Sequence, residues 1–80
     1  MITKTIFMEK YRLLIDKMVE IRKSRGLTQR DLAAKLNVSH CYVGRVETYE
    51  RRLDIVETIN WLKALGCSDT EILKLVTRIL

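Results

Sequence analysis

The twenty residues from Thr28 to Glu47 constrain the fold most, because they predict two short helices joined by a tight turn. Thr28 is a good N-cap residue, and Asp31 is spaced to complete a capping box with it. Apolar residues then recur at helical spacing, at Leu32, Ala33 and Leu36. Asn37 tolerates a left-handed backbone conformation, so it can end the first helix, and Val38 is expected to fill the corner beneath it.

The second helix of this stretch is predicted to have one apolar and one polar face. Ser39 is placed to cap it, and Val43 and Val46 are expected to face inward. The outward face carries small, polar and basic residues, namely His40, Cys41, Gly44 and Arg45. Such a helix in a basic chain has the properties of a helix that enters the major groove of DNA. We therefore interpret it as a recognition helix.

The stretch resembles the helix-turn-helix of the Cro/C1-type (XRE-like) transcriptional regulators of phages and bacteria. The matching residues are Arg25 to Gln29, Leu32, Ala33, Leu36, Val38, Ser39, Val43, Arg45 to Glu47, Arg51 to Asp54, and Ala64 to Gly66. Their order and spacing make this match far more specific than a lone short motif. Asn37 and Tyr49 stand where members of the family commonly have glycine. The resemblance implies an all-α, five-helix, lambda-repressor-like DNA-binding domain.

The resemblance also implies which residues read the bases. His40, Cys41 and Arg45 match positions that face the groove floor, and Gly44 beside them gives room for close approach. Arg45 is the strongest base reader, because its guanidinium can donate two hydrogen bonds to guanine. Cys41 is suited to an apolar contact with a thymine methyl group, whereas His40 is also explained as an ordinary surface residue.

A second set of residues is expected to contact phosphates, which supply affinity and register but little sequence information. The set is Gln29, Ser39, Tyr42, Arg51 and Arg52. Helix capping and helix propensity alone would also explain the serine and the glutamine. Separately, Arg22 and Glu47 match a family ion pair that ties the first helix of the chain to the end of the recognition helix.

The rest of the chain predicts three more helices. An amphipathic helix is expected from about residue 6 to 25, closed by Gly26, with residues 1–5 loose. Its extra N-terminal turns carry Ile6, Phe7 and Tyr11, which would cover the core or meet a second subunit. The fourth helix begins with a capping box of Asp54 and Glu57, and its predicted inner stripe is Val56, Ile59, Leu62 and Leu65.

The last helix, about residues 69 to 80, follows a capping pattern of Ser68 and Glu71 and is apolar on most of its surface. An excess of apolar surface on so small a chain favours a second copy of the chain as its partner. The alternative is that this helix packs wholly into its own core. The 80 residues are expected to form a single domain.

The positive charge of the chain is concentrated at the proposed motif. Of a formal net charge of +5, all lies between Arg22 and Arg52, where eight Lys or Arg residues face three acids. The remaining seven bases and seven acids cancel. A basic surface that coincides with a helix-turn-helix indicates phosphate binding.

Composition argues against several other classes of protein. The two cysteines, Cys41 and Cys67, and one histidine do not supply the ligand set of a zinc site, so free thiols and no metal are expected. No cofactor motif or catalytic constellation is visible, and no enzymatic activity is expected. No apolar run approaches the roughly 20 residues of a membrane span, so the prediction is a cytoplasmic protein.

These patterns predict a transcriptional regulator that binds a roughly palindromic operator in double-stranded DNA as a homodimer. Phage repressors, restriction-modification controllers and antitoxins all include small proteins of this kind, and the sequence does not separate them. The rival interpretation is an antitoxin-like or adaptor protein whose main partner is another protein, bound through the C-terminal helix.

Overall fold

The computed structural model describes residues 3–79, and the side chains from residue 8 onward. Five helices make up its regular structure: α1 (Thr3–Ser24), α2 (Gln29–Leu36), α3 (His40–Glu47), α4 (Ile55–Ala64) and α5 (Asp69–Ile79). The all-α, five-helix prediction is confirmed. Helix α1 begins at Thr3 rather than near residue 6, so residues 3–5 are helical and not loose. The expectations for residues 1 and 2, and for the side chains of Ile6 and Phe7, fall outside the described residues.

The first four helices end in the same way, with one residue in the left-handed conformation. These residues are Gly26 (φ 71°), Asn37 (φ 58°), Tyr49 (φ 68°) and Gly66 (φ 90°). After each, the next N–H bonds back to a carbonyl of the last helical turn, as Leu27 does to Arg22 at 3.1 Å. The N-termini follow their capping patterns too, with reciprocal boxes at Thr28, Asp54 and Ser68.

Tyr49 is the exception among these helix ends, because a bulky side chain is rarely found at positive φ. The Glu50 N–H nevertheless closes α3 on the Arg45 carbonyl at 2.8 Å. The Tyr49 hydroxyl donates a hydrogen bond to Asp16, and the Arg12 guanidinium lies 4.8 Å from the centre of its ring. The hydrogen bond to the Asp16 carboxylate raises the pKa of Tyr49. The loop after the recognition helix is therefore fastened to α1.

The first four helices meet in the core, and α5 contributes Ile72 to it. Its fully buried members include Ile15 and Met18 of α1, Leu32 of α2, and Val43 and Val46 of α3. The two valines face inward, as the sequence predicts. The buried side chains of α2 and α3 leave the opposite face of each short helix exposed to solvent.

The predicted inner stripe of α4 is wrong at its first position. Val56 is 63% exposed, Ile55 is 66% exposed, and Ile59 is only half-buried. The interior face consists of Thr58, Trp61, Leu62 and Leu65. The large indole of Trp61 occupies the interior, and the Thr58 hydroxyl donates to the Asp54 carbonyl at 2.8 Å, so its burial leaves no unpaired polar group. This choice of face exposes two aliphatic side chains at the start of α4.

Two further expectations about apolar residues need correction. Helix α5 is amphipathic rather than apolar all round: Ile72 is buried, a half-buried row follows it, and Leu73 is 64% exposed. The half-buried row is Leu75, Val76 and Ile79. Val38 does not fill the corner after α2, because it is 38% exposed. Its backbone N–H instead closes that helix on the Ala33 carbonyl at 3.0 Å.

Candidate nucleic-acid interface

A buried ion pair fixes the position of the recognition helix, α3. Arg22 Nε donates to Glu47 Oε2 at 2.7 Å, and Arg22 Nη2 donates to Oε1 at 3.0 Å. Both side chains are only 9% exposed. The remaining Nη1 group of Arg22 donates to the Leu27 carbonyl at 2.7 Å. The pair expected from the family resemblance is thus present, and it joins α1 to the last turn of α3.

Gln29 adds α2 to this network. Its Nε2 group donates to Glu47 Oε1 at 2.9 Å, so the side chain points inward and not toward a phosphate. The first N–H groups of a helix have no intrahelical acceptor, which leaves the backbone N–H of Gln29 available to an anion. Sequence reasoning placed Gln29 at the DNA but missed its bond to Glu47, because that bond spans 18 residues of chain.

Gly44 is half-buried and lies beside the same glutamine. A Cβ atom at Gly44 would lie 3.7 Å from Gln29 Oε1, which is an ordinary van der Waals distance. The fold therefore does not require glycine at this position.

Three of the predicted base-reading side chains of α3 are exposed to solvent. His40, Cys41 and Arg45 are all exposed, and Cys41 Sγ lies 3.9 Å from His40 Nε2. Within the described part of the chain, the Arg45 guanidinium makes no hydrogen bond or ion pair. An uncommitted guanidinium on α3 can donate two parallel hydrogen bonds to a base edge without breaking an internal contact.

A basic cleft lies at the N-terminus of α2. It has a volume of about 570 Å³, and its lining includes Lys23, Thr28, Gln29, Arg30 and His40. Two of these residues, Lys23 and Arg30, were missed by the sequence reasoning, although their positions beside the Thr28 cap were a usable signal. The cleft combines cationic side chains with free N–H groups of a first helical turn, which is suitable chemistry for a phosphate.

The carboxylate of Asp31 takes part in the capping box at the N-terminus of α2. It accepts the Thr28 N–H at 2.9 Å, while the Thr28 hydroxyl accepts the Asp31 N–H at 3.0 Å. Hydrogen bonding to Thr28, from its backbone N–H in the first place and from its side chain in the second, lowers the pKa of Asp31. Asp31 is exposed, so it contributes a negative charge at this end of α2 while it caps the helix.

Two of the predicted phosphate contacts are committed to internal roles. The Ser39 hydroxyl caps α3 by accepting the Tyr42 N–H at 3.2 Å. The Tyr42 hydroxyl donates to Glu57 Oε2 at 3.2 Å, and its ring lies 5.9 Å from that of Trp61. Burial raises the pKa of Tyr42. The Tyr42 hydroxyl therefore joins α3 to α4 in this structure, and its contact with the DNA backbone stays a prediction.

The two loop arginines are exposed and oriented by neighbouring rings. Arg51 pairs with Glu57 at 3.1 Å, and its guanidinium lies 5.4 Å from the centre of the Tyr42 ring. Arg52 lies 4.7 Å from the centre of the Tyr11 ring. Tyr11 also accepts the Leu53 N–H at 3.1 Å, so this residue of α1 supports the loop. Stacking of this kind restricts the arginines while leaving their N–H groups exposed.

The surface charge of the motif remains positive after the internal pairs are set aside. Arg22 and Glu47 neutralise each other, and Arg25 is directed to the end of α4. The exposed cations of this region are then Lys23, Arg30, Lys35, Arg45, Arg52 and Arg51, the last of which pairs with Glu57, against the exposed acids Asp31 and Glu50. Cationic side chains therefore surround the face of α3 on which the uncommitted polar groups lie.

Comparison with known proteins agrees with this geometry. The model of the HTH_3 helix-turn-helix family matches residues 18–72. The chain belongs to the XRE-like helix-turn-helix family. A solved structure described as an XRE-family like protein from Pseudomonas syringae pv. tomato str. DC3000 resembles this XRE-like chain with a TM-score of 0.88. The two are 34% identical, over 96% of this chain and 90% of that one.

None of the curated proteins compared with the sequence matches it significantly. The family assignment confirms the resemblance seen in the sequence and makes this XRE-like chain a DNA-binding regulator. Within residues 3–79, no helix has the length and apolar character needed to cross a membrane. In the same range Cys41 is an exposed free thiol and Cys67 a buried one.

Proposed function

We propose that this XRE-like protein regulates transcription by binding a roughly palindromic operator as a homodimer. The observation that carries the proposal is the outward face of α3, where the exposed Arg45 guanidinium lies one turn after Cys41 and makes no hydrogen bond or ion pair with the described residues. The opposite face of α3 is anchored by Val43 and Val46 in the core. In this role α3 enters the major groove, with Arg45 as the principal reader of a base pair.

Phosphate contacts would come from the two sides of this face. On one side is the basic cleft at the start of α2, with the free N–H of Gln29 and the side chains of Lys23 and Arg30. On the other side is the loop that carries Arg51 and Arg52. Two anchoring sites that flank one helix would fix its register in the groove.

The homodimer is supported by exposed apolar surface along α4 and α5. Ile55, Val56 and Leu73 are each more than 60% exposed, and a second copy of the chain would remove these aliphatic side chains from water. A groove of about 290 Å³ lies between α1, α4 and α5, and Ile55 is part of its lining. Its apolar lining is Tyr11, Leu14, Leu53, Ile55, Val76 and Ile79. The proposed interface thus includes the start of α4 and not α5 alone.

A two-fold interface of this kind places two copies of α3 on the same side of the dimer. Two recognition helices about 34 Å apart read half-sites one helical turn apart on the duplex. The symmetry of the operator then follows from the symmetry of the dimer. Whether binding represses or activates depends on where the operator lies relative to a promoter.

Selection from a pool of randomised duplex DNA at near-physiological salt tests this function. The proposal predicts recovery of an inverted repeat whose half-sites are about one helical turn apart. Salt-sensitive binding without any recovered motif would overturn it, because phosphate contacts alone give affinity without sequence preference. Recovery of a single half-site would contradict the dimeric arrangement while retaining base reading.

A further inference from the structure

A second basic surface lies away from α2 and α3, in a groove between α1 and α5. The groove has a volume of about 470 Å³. Its charged lining is Lys17, Arg25, Lys74 and Arg78 against the single carboxylate of Glu71, and its apolar lining includes Leu13, Ile21, Leu75 and Ile79. No residue of α2 or α3 contributes to this lining. We call it the α1–α5 groove.

The cations of the α1–α5 groove are only partly neutralised within the chain. Lys74 and Arg78 lie one turn apart on α5, and in the described part of the chain neither has a carboxylate partner. Lys17 has only a solvent-exposed pairing with Glu20 at 3.8 Å, which contributes little. Arg25 alone is engaged, through the Leu65 and Gly66 carbonyls and a 3.5 Å contact with Glu71. Three cations therefore remain available to an anionic partner.

The floor of the groove is apolar and open. Leu13 is 46% exposed, while Ile21, Leu75 and Ile79 are half-buried. A concave apolar strip flanked by cations is complementary to an amphipathic helix whose apolar face is bordered by Asp and Glu. Duplex DNA would use the cations but would leave the apolar floor without a partner, and a flat lipid surface would not enter a concave groove.

We propose that the α1–α5 groove binds an acidic amphipathic helix of another protein. The carboxylates of that helix pair with Lys17, Lys74 and Arg78, and its apolar side chains cover Leu13 and Leu75. Because the groove lies apart from α3, the partner and DNA bind at the same time. The exposed residues of the proposed dimer surface, Ile55, Val56 and Leu73, are outside the groove lining, and Ile79 is the one residue that lines both this groove and the groove at the dimer surface.

The test is selection from a displayed library of helical peptides with random surface positions, using the full chain as target. The proposal predicts enrichment of peptides that alternate acidic residues with leucine-like residues at helical spacing. Binding of the enriched peptide, followed by fluorescence anisotropy, should weaken severalfold in Lys74→Glu and further in Lys74→Glu/Arg78→Glu. The matched control is Lys63→Glu, an exposed lysine of α4 outside the groove, which should bind the peptide as the parent chain does.

Three results would overturn the proposal. The first is recovery of no acidic amphipathic peptide, or equal binding by Lys74→Glu and Lys63→Glu. The second is loss of duplex DNA affinity in Lys74→Glu/Arg78→Glu, which would assign the groove to nucleic acid. The third is dissociation of that variant into monomers by sedimentation, which would assign it to a second copy. Retained operator binding and an unchanged thermal melt show that the variants are folded, and they separate this test from that of the DNA-binding function.

Discussion

Single residues at the interface show how far a side chain's role depends on contacts distant in sequence. Tyr42 is polar and adjacent to the base-reading positions, yet its hydroxyl is directed to Glu57, 15 residues away. Gln29 is directed to Glu47 in the same way. Among the described residues Arg45 has no such partner, so its side chain is available to a ligand. Spacing on a helix predicts which side chains point outward, but partners from other helices decide which of those remain available.

The two cysteines provide a probe of this interface. Cys41 is exposed on the outward face of α3, whereas burial raises the pKa of the Cys67 thiol and slows its reaction. We expect a maleimide to modify Cys41 first, and operator DNA to protect it strongly. Mass spectrometry of the labelled protein with and without DNA measures the effect. The control is Cys41→Ser, which retains only Cys67. Equal labelling of Cys41 with and without DNA would show that the outward face of α3 does not enter the major groove.

The helices themselves show which parts of the fold are encoded locally. Their ends were predictable, because Gly26, Asn37 and Gly66 tolerate positive φ and Thr28 is followed by its capping partner. Tyr49 gives no such local signal, since its conformation depends on contacts with α1. The buried face of α4 was also not predictable from the sequence. Several faces of this helix are apolar, and packing around Trp61 selects the one that is buried.

The Arg22–Glu47 ion pair, which joins α1 to α3, predicts that removal of Glu47 destabilises the fold more than removal of Glu50 does. Glu47→Ala should lower the free energy of unfolding by about 3–5 kcal/mol, because Arg22 would stay buried without its carboxylate. It also removes the acceptor of Gln29. Glu50→Ala, which removes an exposed acid three residues later, should cost little. Urea unfolding followed by circular dichroism compares them, and equal losses would show that the pair does not fix α3.

At the scale of the whole molecule, three surfaces of the chain differ in charge and polarity. The face around α3 is basic and polar, the surface at the start of α4 and along α5 is apolar, and the α1–α5 groove combines both characters. Net charge located the first of these in the sequence. It did not reveal the third, because Lys17 is distant in sequence from Lys74 and Arg78, and acids elsewhere in the chain balance the charge of all three.

The apolar surface makes a prediction about assembly. Val56→Asp and Leu73→Asp should each convert dimers to monomers, because a carboxylate buried at a two-fold interface lacks a partner in both copies. Removal of α5 would be a poorer test, since Ile72 belongs to the core. Met8→Asp, at an exposed apolar position of α1, is the matched control. Sedimentation equilibrium measures the oligomeric state of each variant. Dimers in both Val56→Asp and Leu73→Asp would place the interface elsewhere.

The central claim is that α3 contacts base edges, while the basic cleft at the start of α2 and the loop after α3 bind phosphates. The most direct measurement compares Arg45→Ala with Arg52→Ala on the selected operator and on its single base-pair variants. We predict that Arg45→Ala costs about 1–3 kcal/mol and abolishes the preference at one position, while Arg52→Ala weakens all sequences alike and lowers the salt slope by about 1. If Arg45→Ala also weakened every sequence equally and left all preferences intact, α3 would not be the reader.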